Sequence, residues 1–338
     1  MGMILLLALV PVALAGLFAG GDDDPEMVAA LPPDEDGGGD DGGSTGGGNG
    51  EADVLIGGPR ANVLTGDAEN DLIAGFAEND TLSGLGGNDL MAGGAGADSL
   101  SGGDGADLLL AGTGNDTLTG GAGDDDLNGG TGDDVLDGGD GDDYLIDVNG
   151  GDPETGGNPM LGGAGNDFIV GWKAAPGTAR DPKAADDPET LIIAPMEEVF
   201  GPQTASFNQM IVNNSQATDN GRSFDRMEGG TGDDTLLGDR GDLMLGGEGA
   251  DVFSVLAPPQ PDDPDDAGFG FVAEIADFEP GLDRLQIQTD SVEPFTLRVD
   301  ADQDGLWIVF NGRDVALLTG LQQGDVDAGD IEVLRLTA

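Results

Sequence analysis

Aspartates recur every nine residues through the middle of this chain, and carboxylates so spaced can do one kind of chemistry well: they gather hard cations. Laid out in nines from Gly48, residues 48–146 form eleven units with no insertion or deletion. The sixth place holds Asp53, Asn62, Asp71, Asp80, Asp89, Asp98, Asp107, Asp116, Asp125, Asp134 and Asp143. The eighth place is always apolar: Leu55, Leu64, Ile73, Leu82, Met91, Leu100, Leu109, Leu118, Leu127, Leu136 and Leu145. Glycine dominates the first place and, from Gly93 onward, the second and fourth as well. Such phase-locking of an acid and an aliphatic marks a repeat array.

The elements that position these carboxylates follow from what each place can do. Glycines at places one, two and four suit backbone with positive φ, which a side chain resists. Places seven to nine, as in Thr117-Leu118-Thr119, predict a three-residue strand with its middle residue pointing inward. One unit is then a tight turn plus a short strand. Two units close one coil, so each strand pairs with the strand eighteen residues on. Asp71, Asp89, Asp107, Asp125 and Asp143 thereby form one column, and Asp80, Asp98, Asp116 and Asp134 the other. Neighbours in a column repeat at about 4.7–4.9 Å. Two carboxylates so placed repel by about 1 kcal/mol in water and several times more near a protein surface. With no lysine beside them, the columns call for a counter-charge. Oxygen-only ligands on flexible turns suit calcium; magnesium, which keeps its waters and demands near-ideal octahedra, suits them less.

The form Gly129-Gly130-Thr131-Gly132-Asp133-Asp134-Val135-Leu136-Asp137 resembles the RTX, or haemolysin-type, calcium-binding nonapeptide repeat. The resemblance implies a right-handed parallel β-roll with calcium ions held in the turns between coils. It also implies secretion through a type I system that reads an uncleaved C-terminal signal.

Outside the array the chain is uneven. Its 338 residues carry a formal net charge of −56, with 38% hydrophobic and 4% aromatic residues. That charge argues against nucleic acid and anionic membranes as partners. There is no cysteine and no histidine, which excludes disulfides, Ser-His and Cys-His catalysis and His-based zinc sites. Any similarity to serralysin-type proteases therefore stops short of their zinc motif. Met3 to Ala19 is apolar but no Lys or Arg occurs before Arg60, so it reads as a signal peptide lacking its positive region, as a short anchor, or as a plain apolar tail that is neither. Residues 21–47, rich in Asp, Gly and Pro, read as a disordered acidic linker. In the early units Glu69 and Glu78 replace the fourth-place glycine and read as a solvated face.

After Asp147 the pattern breaks and returns as Gly162-Gly163-Ala164-Gly165-Asn166-Asp167-Phe168-Ile169-Val170. A long insert follows, with both lysines, Lys173 and Lys183, and two strand-like runs at 191–194 and 209–212. Its polar cluster of Asn213, Asn214, Ser215, Asp219, Arg222 and Asp225 reads as a surface loop rather than a sugar-binding groove. The repeat resumes at Gly229 with Asp234, then a shortened unit with Asp242 and a last full unit with Asp251. Beyond it, Ala273 to Leu285 is similar to the segment that follows the roll in many RTX proteins. Phe295–Val299, Leu306–Phe310 and Asp314–Leu318 read as three strands joined at Asp304-Gly305 and Asn311-Gly312, with Trp307 and Phe310 in an aromatic core. Asp300, Asp302, Asp304 and Gly305 match half of an EF-hand loop, but Asn311 stands at the twelfth place and the flanks alternate as strands, so a hairpin is expected. Residues 330–338 resemble the acidic-then-aliphatic end of a type I secretion signal.

The sequence thus predicts an all-β protein: a right-handed parallel β-roll of nonapeptide repeats, interrupted by an insert and capped by a C-terminal antiparallel β-meander. The expected segments are 1–20 (apolar signal or anchor), 21–47 (linker), 48–170 (roll), 171–228 (insert), 229–254 (resumed roll) and 255–338 (cap and secretion signal). The expected metal residues are Asp71, Asp80, Asp89, Asp98, Asp107, Asp116, Asp125, Asp134, Asp143, Asp167, Asp234 and Asp251, with Asp53 and Asp242 at the edges of the set. Several calcium ions are the expected ligands, and no catalytic residue is assigned. The expected function is calcium binding by a secreted or surface-exposed roll that folds in extracellular calcium. An accessory part of a polysaccharide-active enzyme, or a surface adhesin touching cells or polysaccharide, is the alternative.

Overall fold

A computed structural model describes residues 43–45, 53–147, 158–171, 225–238, 241–257, 272–289, 295–327 and 329–335. The apolar N-terminus, most of the linker and most of the insert lie outside the described residues, as do the strand-like runs expected at 191–194 and 209–212. Every regular element among the described residues is a strand, and none is a helix long and apolar enough to cross a membrane. The chain divides into two compact units, with residues up to Gly132 in one and the described residues from Asp133 in the other.

The first unit contains β1 (Gly43–Thr45), β2 (Val54–Ile56), β3 (Val63–Thr65), β4 (Leu72–Ala77), β5 (Thr81–Gly86), β6 (Leu90–Ala95), β7 (Ser99–Asp104), β8 (Leu108–Thr113), β9 (Thr117–Ala122) and β10 (Asp126–Thr131). Odd-numbered strands pair in parallel with odd, and even with even. From β2 onward the register repeats every eighteen residues: Leu100 lies opposite Leu118, and Leu109 opposite Leu127. This is the parallel β-roll that the nine-residue period demands.

The inward place is the eighth. Ile73, Met91, Leu109 and Leu118 are 0% exposed, and Leu82, Leu100 and Leu127 are 1% exposed. A file of aliphatics from each sheet therefore makes the centre of this unit's core, flanked on some strands by buried neighbours such as Leu72, Ala74, Leu108 and Leu110. The strands are longer than the three residues expected. In β7, Ser99-Leu100-Ser101 pairs with Thr117-Leu118-Thr119, the ladder skips Gly102, and Gly103-Asp104 then pairs with Gly121-Ala122. The backbone bends at each first-place glycine but goes on hydrogen bonding through the first half of the turn. The second and fourth places have positive φ, as at Gly103 (125°) and Gly105 (137°). The early units keep that backbone without glycine, at Phe76 (87°), Glu78 (67°) and Leu85 (79°), at a cost of roughly 1–2 kcal/mol per residue. The side chains of Glu69 and Glu78 are exposed, as expected.

The second unit runs β11 (Val135–Asp140), β12 (Tyr144–Ile146), β13 (Pro159–Ala164), β14 (Phe168–Val170), β15 (Arg226–Thr231), β16 (Thr235–Gly238), β17 (Leu243–Glu248), β18 (Val252–Leu256), β19 (Ala273–Ile275), β20 (Arg284–Thr289), β21 (Leu297–Ala301), β22 (Gly305–Phe310), β23 (Arg313–Thr319) and β24 (Ile331–Arg335). Parallel pairing continues past every break in the repeat. Leu136 faces Met160 across a 24-residue gap, and Met160 faces Met227 across the insert. Strand β15 starts at Arg226, so repeat backbone returns before Gly229.

The C-terminal region is only partly antiparallel. Strands β21, β22 and β23 form the expected meander. However, β19 and β20 stack in parallel on β17 and β18, and β23 and β24 stack on those. The roll is thus extended before it is closed. The second hairpin turns at Asn311 (φ 52°) and Gly312 (φ 82°), a pair of positive values suited to a two-residue turn. Leu306, Ile308 and Phe310 are buried, whereas Trp307 is only half-buried. The residues expected to carry the secretion signal include β24, which pairs with β20.

One core position tests this packing. Leu118→Ala should cost about 2–5 kcal/mol, read as a lower Tm in calcium. Thr117→Ala, one place away on the exposed face, should stay within about 0.5 kcal/mol.

Candidate functional site

The sixth-place aspartates do not line the outside of the turns. From Asp71 onward they point inward and are almost wholly buried, whereas Asp53 is half-buried: Asp80 is 2% exposed, Asp98 and Asp107 3%, and Asp234 0%. One carboxylate oxygen of each stitches two coils together. Oδ1 of Asp71, Asp89, Asp107 and Asp125 accepts the backbone N–H of Asp53, Asp71, Asp89 and Asp107 in turn, at 2.7–2.8 Å. In the other column, Asp80, Asp98 and Asp116 accept from Asn62, Asp80 and Asp98 at 2.6–2.8 Å. The second unit has two such columns. Asp143, Asp167, Asp234 and Asp251 each donate an N–H to Oδ1 of the next, the last of them Asp283, at 2.8–3.0 Å. Asp134, Asn158 and Asp225 likewise donate to Asn158, Asp225 and Asp242 at 2.9–3.4 Å.

The other oxygen has a different environment. Oδ2 of Asp80, Asp89, Asp98, Asp107 and Asp234 is buried and has no hydrogen-bond partner. It lies against the first-place glycine of its own unit. A Cβ on Gly75, Gly102 or Gly229 would meet Oδ2 of Asp80, Asp107 or Asp234, and the carbonyl of Gly93, Gly120 or Gly246 in the stacked coil. First-place glycine is therefore needed for close approach, not for the positive φ expected of it, although Ala111 fills the place in one unit. The polar atoms nearest that space are a carboxylate oxygen and a stacked carbonyl oxygen, donors of the kind that calcium takes.

Carboxylates taken out of water with few donors resist ionisation. Burial, the largest effect, pushes Asp80, Asp89 and Asp234 up to about 7, and Asp116 and Asp251 up to about 6; backbone N–H donors partly oppose it. Asp98, Asp107 and Asp283 are raised for the same reason. Neighbouring carboxylates add to the rise, as Asp98 does for Asp80.

At the first unit's start, carboxylate oxygens of Asp53, Asp67 and Asp71 lie within 4.8 Å of one another. Both Asp71 oxygens there accept backbone N–H groups, from Asp53 at 2.7 Å and Asp67 at 2.8 Å. Asp67, in a second place where glycine is usual, is not among the residues expected from the period.

Several ladder members escape a reading strictly in nines. Asp225, assigned from sequence to the insert's surface cluster, is 2% exposed and belongs to the ladder. Its companions in that cluster lie outside the described residues. Asp225-Arg226-Met227-Glu228 before Gly229-Gly230 was the available signal. Asp283-Arg284-Leu285-Gln286 carries the same signal, and Asp283 accepts the N–H groups of Asp251 and Glu279. A further ladder runs along the fifth place on the outside, with opposite polarity. Oδ1 of Asn70, Asn79 and Asn88 accepts the N–H of Asn88, Ala97 and Ala106 at 2.8–3.1 Å, and Asp142, Asn166 and Asp233 continue it in the second unit. The EF-hand-like acids form a hairpin turn: Asp302 Oδ1 accepts the N–H of Asp304 at 2.8 Å, which holds its carboxyl below the usual range.

Residues 47–82, 74–109, 83–118, 119–146, 154–174 and 220–253 match the RTX calcium-binding nonapeptide repeat, a family description spanning four copies of the unit. The match ends before the C-terminal segment and gives no support to its serralysin-like reading. No curated protein matches the chain.

The raised carboxyls set a pH dependence for the metal-free fold. They bind protons more readily folded than unfolded, so stability falls as pH rises from about 4 to about 7. In chelator the protein should melt at a higher temperature at pH 5 than at pH 7.5. With calcium in excess the order should shrink or reverse, because protons then compete with the ion.

Proposed function

We propose, from the premise that this chain carries RTX calcium-binding nonapeptide repeats, that it is an exported protein whose roll folds when its buried carboxylates meet extracellular calcium. The observation that carries this reading is the row of buried Oδ2 atoms without hydrogen-bond partners. Each is an acceptor held out of water, and leaving it unsatisfied costs about 1–3 kcal/mol, more when charged. A calcium ion resolves both the missing partner and the charge. The residues proposed to hold ions are Asp71, Asp80, Asp89, Asp98, Asp107, Asp116, Asp125, Asp134, Asp143, Asp167, Asp234 and Asp251. Asp53, Asp225, Asp242 and Asp283 extend the set along the same ladders. Carbonyls of the stacked turns complete the shell.

In the low calcium of a cell interior the ionised columns oppose folding, and the chain stays in a state suited to export. Outside, each independent site adds about 2.7 kcal/mol at a hundredfold excess of calcium over its dissociation constant. Several such sites compare with the whole stability of a typical domain, about 5–15 kcal/mol. Extracellular calcium modules bind at roughly 10⁻⁴–10⁻³ M, the range proposed here. The C-terminal tail fits the scheme if it is read as a signal before β24 forms. The role is binding and folding, without catalysis of the chain's own.

Equilibrium dialysis of the full chain should show several calcium ions bound, with magnesium unable to displace them at equal concentration. Asp107→Asn keeps the Oδ1 acceptor and removes the charge. It should lose calcium, melt higher than wild type in chelator and melt lower in calcium. Unchanged calcium binding would exclude Asp107 as a ligand. Fractionating cells and medium checks the export step: a product retained inside intact cells would contradict it.

A further inference from the structure

In the second unit, one member of the ladder that starts at Asp134 is not an acid. Asn158 is 0% exposed and stands at the sixth place, followed by Pro159-Met160-Leu161 at places seven to nine. It makes the ladder's backbone bonds: Oδ1 accepts the Asp134 N–H at 3.1 Å, and its own N–H points to Asp225 Oδ1 at 3.4 Å. The remaining side-chain atom sets it apart. Where Asp80, Asp98 and Asp234 present a buried oxygen without a partner, Asn158 presents Nδ2, which donates to Asp147 Oδ2 at 2.6 Å. The two ends of the amide cannot be exchanged, because one faces an N–H donor and the other a carboxylate acceptor.

Asp147 explains how the pair arises. It lies nine residues after Gly138, where a repeat would have its first glycine, and it is 1% exposed. In a regular unit the first-place glycine lies against the sixth-place Oδ2, as Gly138 does against Asp143. Here the first place supplies a carboxylate and the sixth supplies an amide donor, and the two bond directly. The longer spacing, with Leu136 opposite Met160, accommodates the exchange without breaking the ladder. An N–H₂ group turned into a cation pocket puts positive partial charge where a calcium ion would need an oxygen.

Building on the calcium reading above, we infer that the Asn158 coil is an ion-free joint in the roll. The Asn158–Asp147 hydrogen bond performs there the task that calcium performs at the aspartates. This coil therefore closes without metal, and the series of ions has a gap at this point.

Two variants of the full chain test this, each by calcium stoichiometry from equilibrium dialysis and by melts in chelator and in calcium. Asn158→Ala should bind as many ions as wild type and melt lower by a similar amount in both media. Loss of an ion from N158A would overturn the inference, because Asn158 would then be a ligand. Asn158→Asp should melt lower than wild type in chelator, recover in calcium and bind one additional ion. An unchanged ion count, with equal melting shifts in both media, would also overturn it. If N158D does not fold even in calcium, the N158A count decides. A wild type binding no calcium would remove the calcium reading and this inference together, whereas the N158A result strikes the inference alone.

Discussion

The structure depends on one repeated bond, from a backbone N–H at the sixth place to the carboxylate of the sixth-place aspartate in the next coil. It sets the stacking register as firmly as the sheet ladders do, because the side chain reaches only the coil it must touch. It also draws a charge out of water. A carboxylate buried with one hydrogen bond is under-compensated, and the rise of Asp80, Asp89 and Asp234 to about 7 expresses that strain as proton affinity. The same group that specifies the fold therefore opposes it at neutral pH in the absence of a cation, which is the physical basis of the calcium-coupled folding proposed above.

Other features follow from giving that bond room. The eighth place supplies an inward residue from every coil of the repeat, buried beside the sixth-place aspartates of the same turns. First-place glycine is favoured, in every unit of the array but that of Ala111, because the second carboxylate oxygen lies close to its Cα. The exposed fifth-place ladder, running from coil to coil with the opposite polarity, pairs N–H groups at the turn surface that the sixth-place aspartates do not reach. Where the repeat fails, as at Asp147 and Asn158, the ladder survives by exchanging a carboxylate for an amide.

Much of this was legible in the sequence. The nine-residue period alone dictated two strands per coil, the eighteen-residue register, the inward eighth place and the division of the aspartates into two columns. It did not disclose which way the carboxylates point, since a turn can present an acid to solvent or to the interior with equal spacing. Strand length was underestimated because glycine discourages strand assignment, yet here glycines hydrogen bond within the ladder. Asp225, Asn158 and Asp283 were missed for a different reason. Each follows a break of irregular length, and a reading in strict nines loses phase there, whereas the sheet only needs the next strand to arrive in register. The extension of the roll through β19, β20 and β24 was hidden likewise, since stacking onto an open sheet end requires edge complementarity rather than a repeated motif.

The most direct test of the account is far-UV circular dichroism of the full chain in chelator at pH 7.5, titrated with calcium and separately with magnesium. The account predicts little β signal in chelator, a cooperative gain with calcium and no comparable gain with magnesium. A chain already fully β-structured in chelator, unchanged by calcium, would contradict it and would mean that the buried carboxylates are tolerated without a cation.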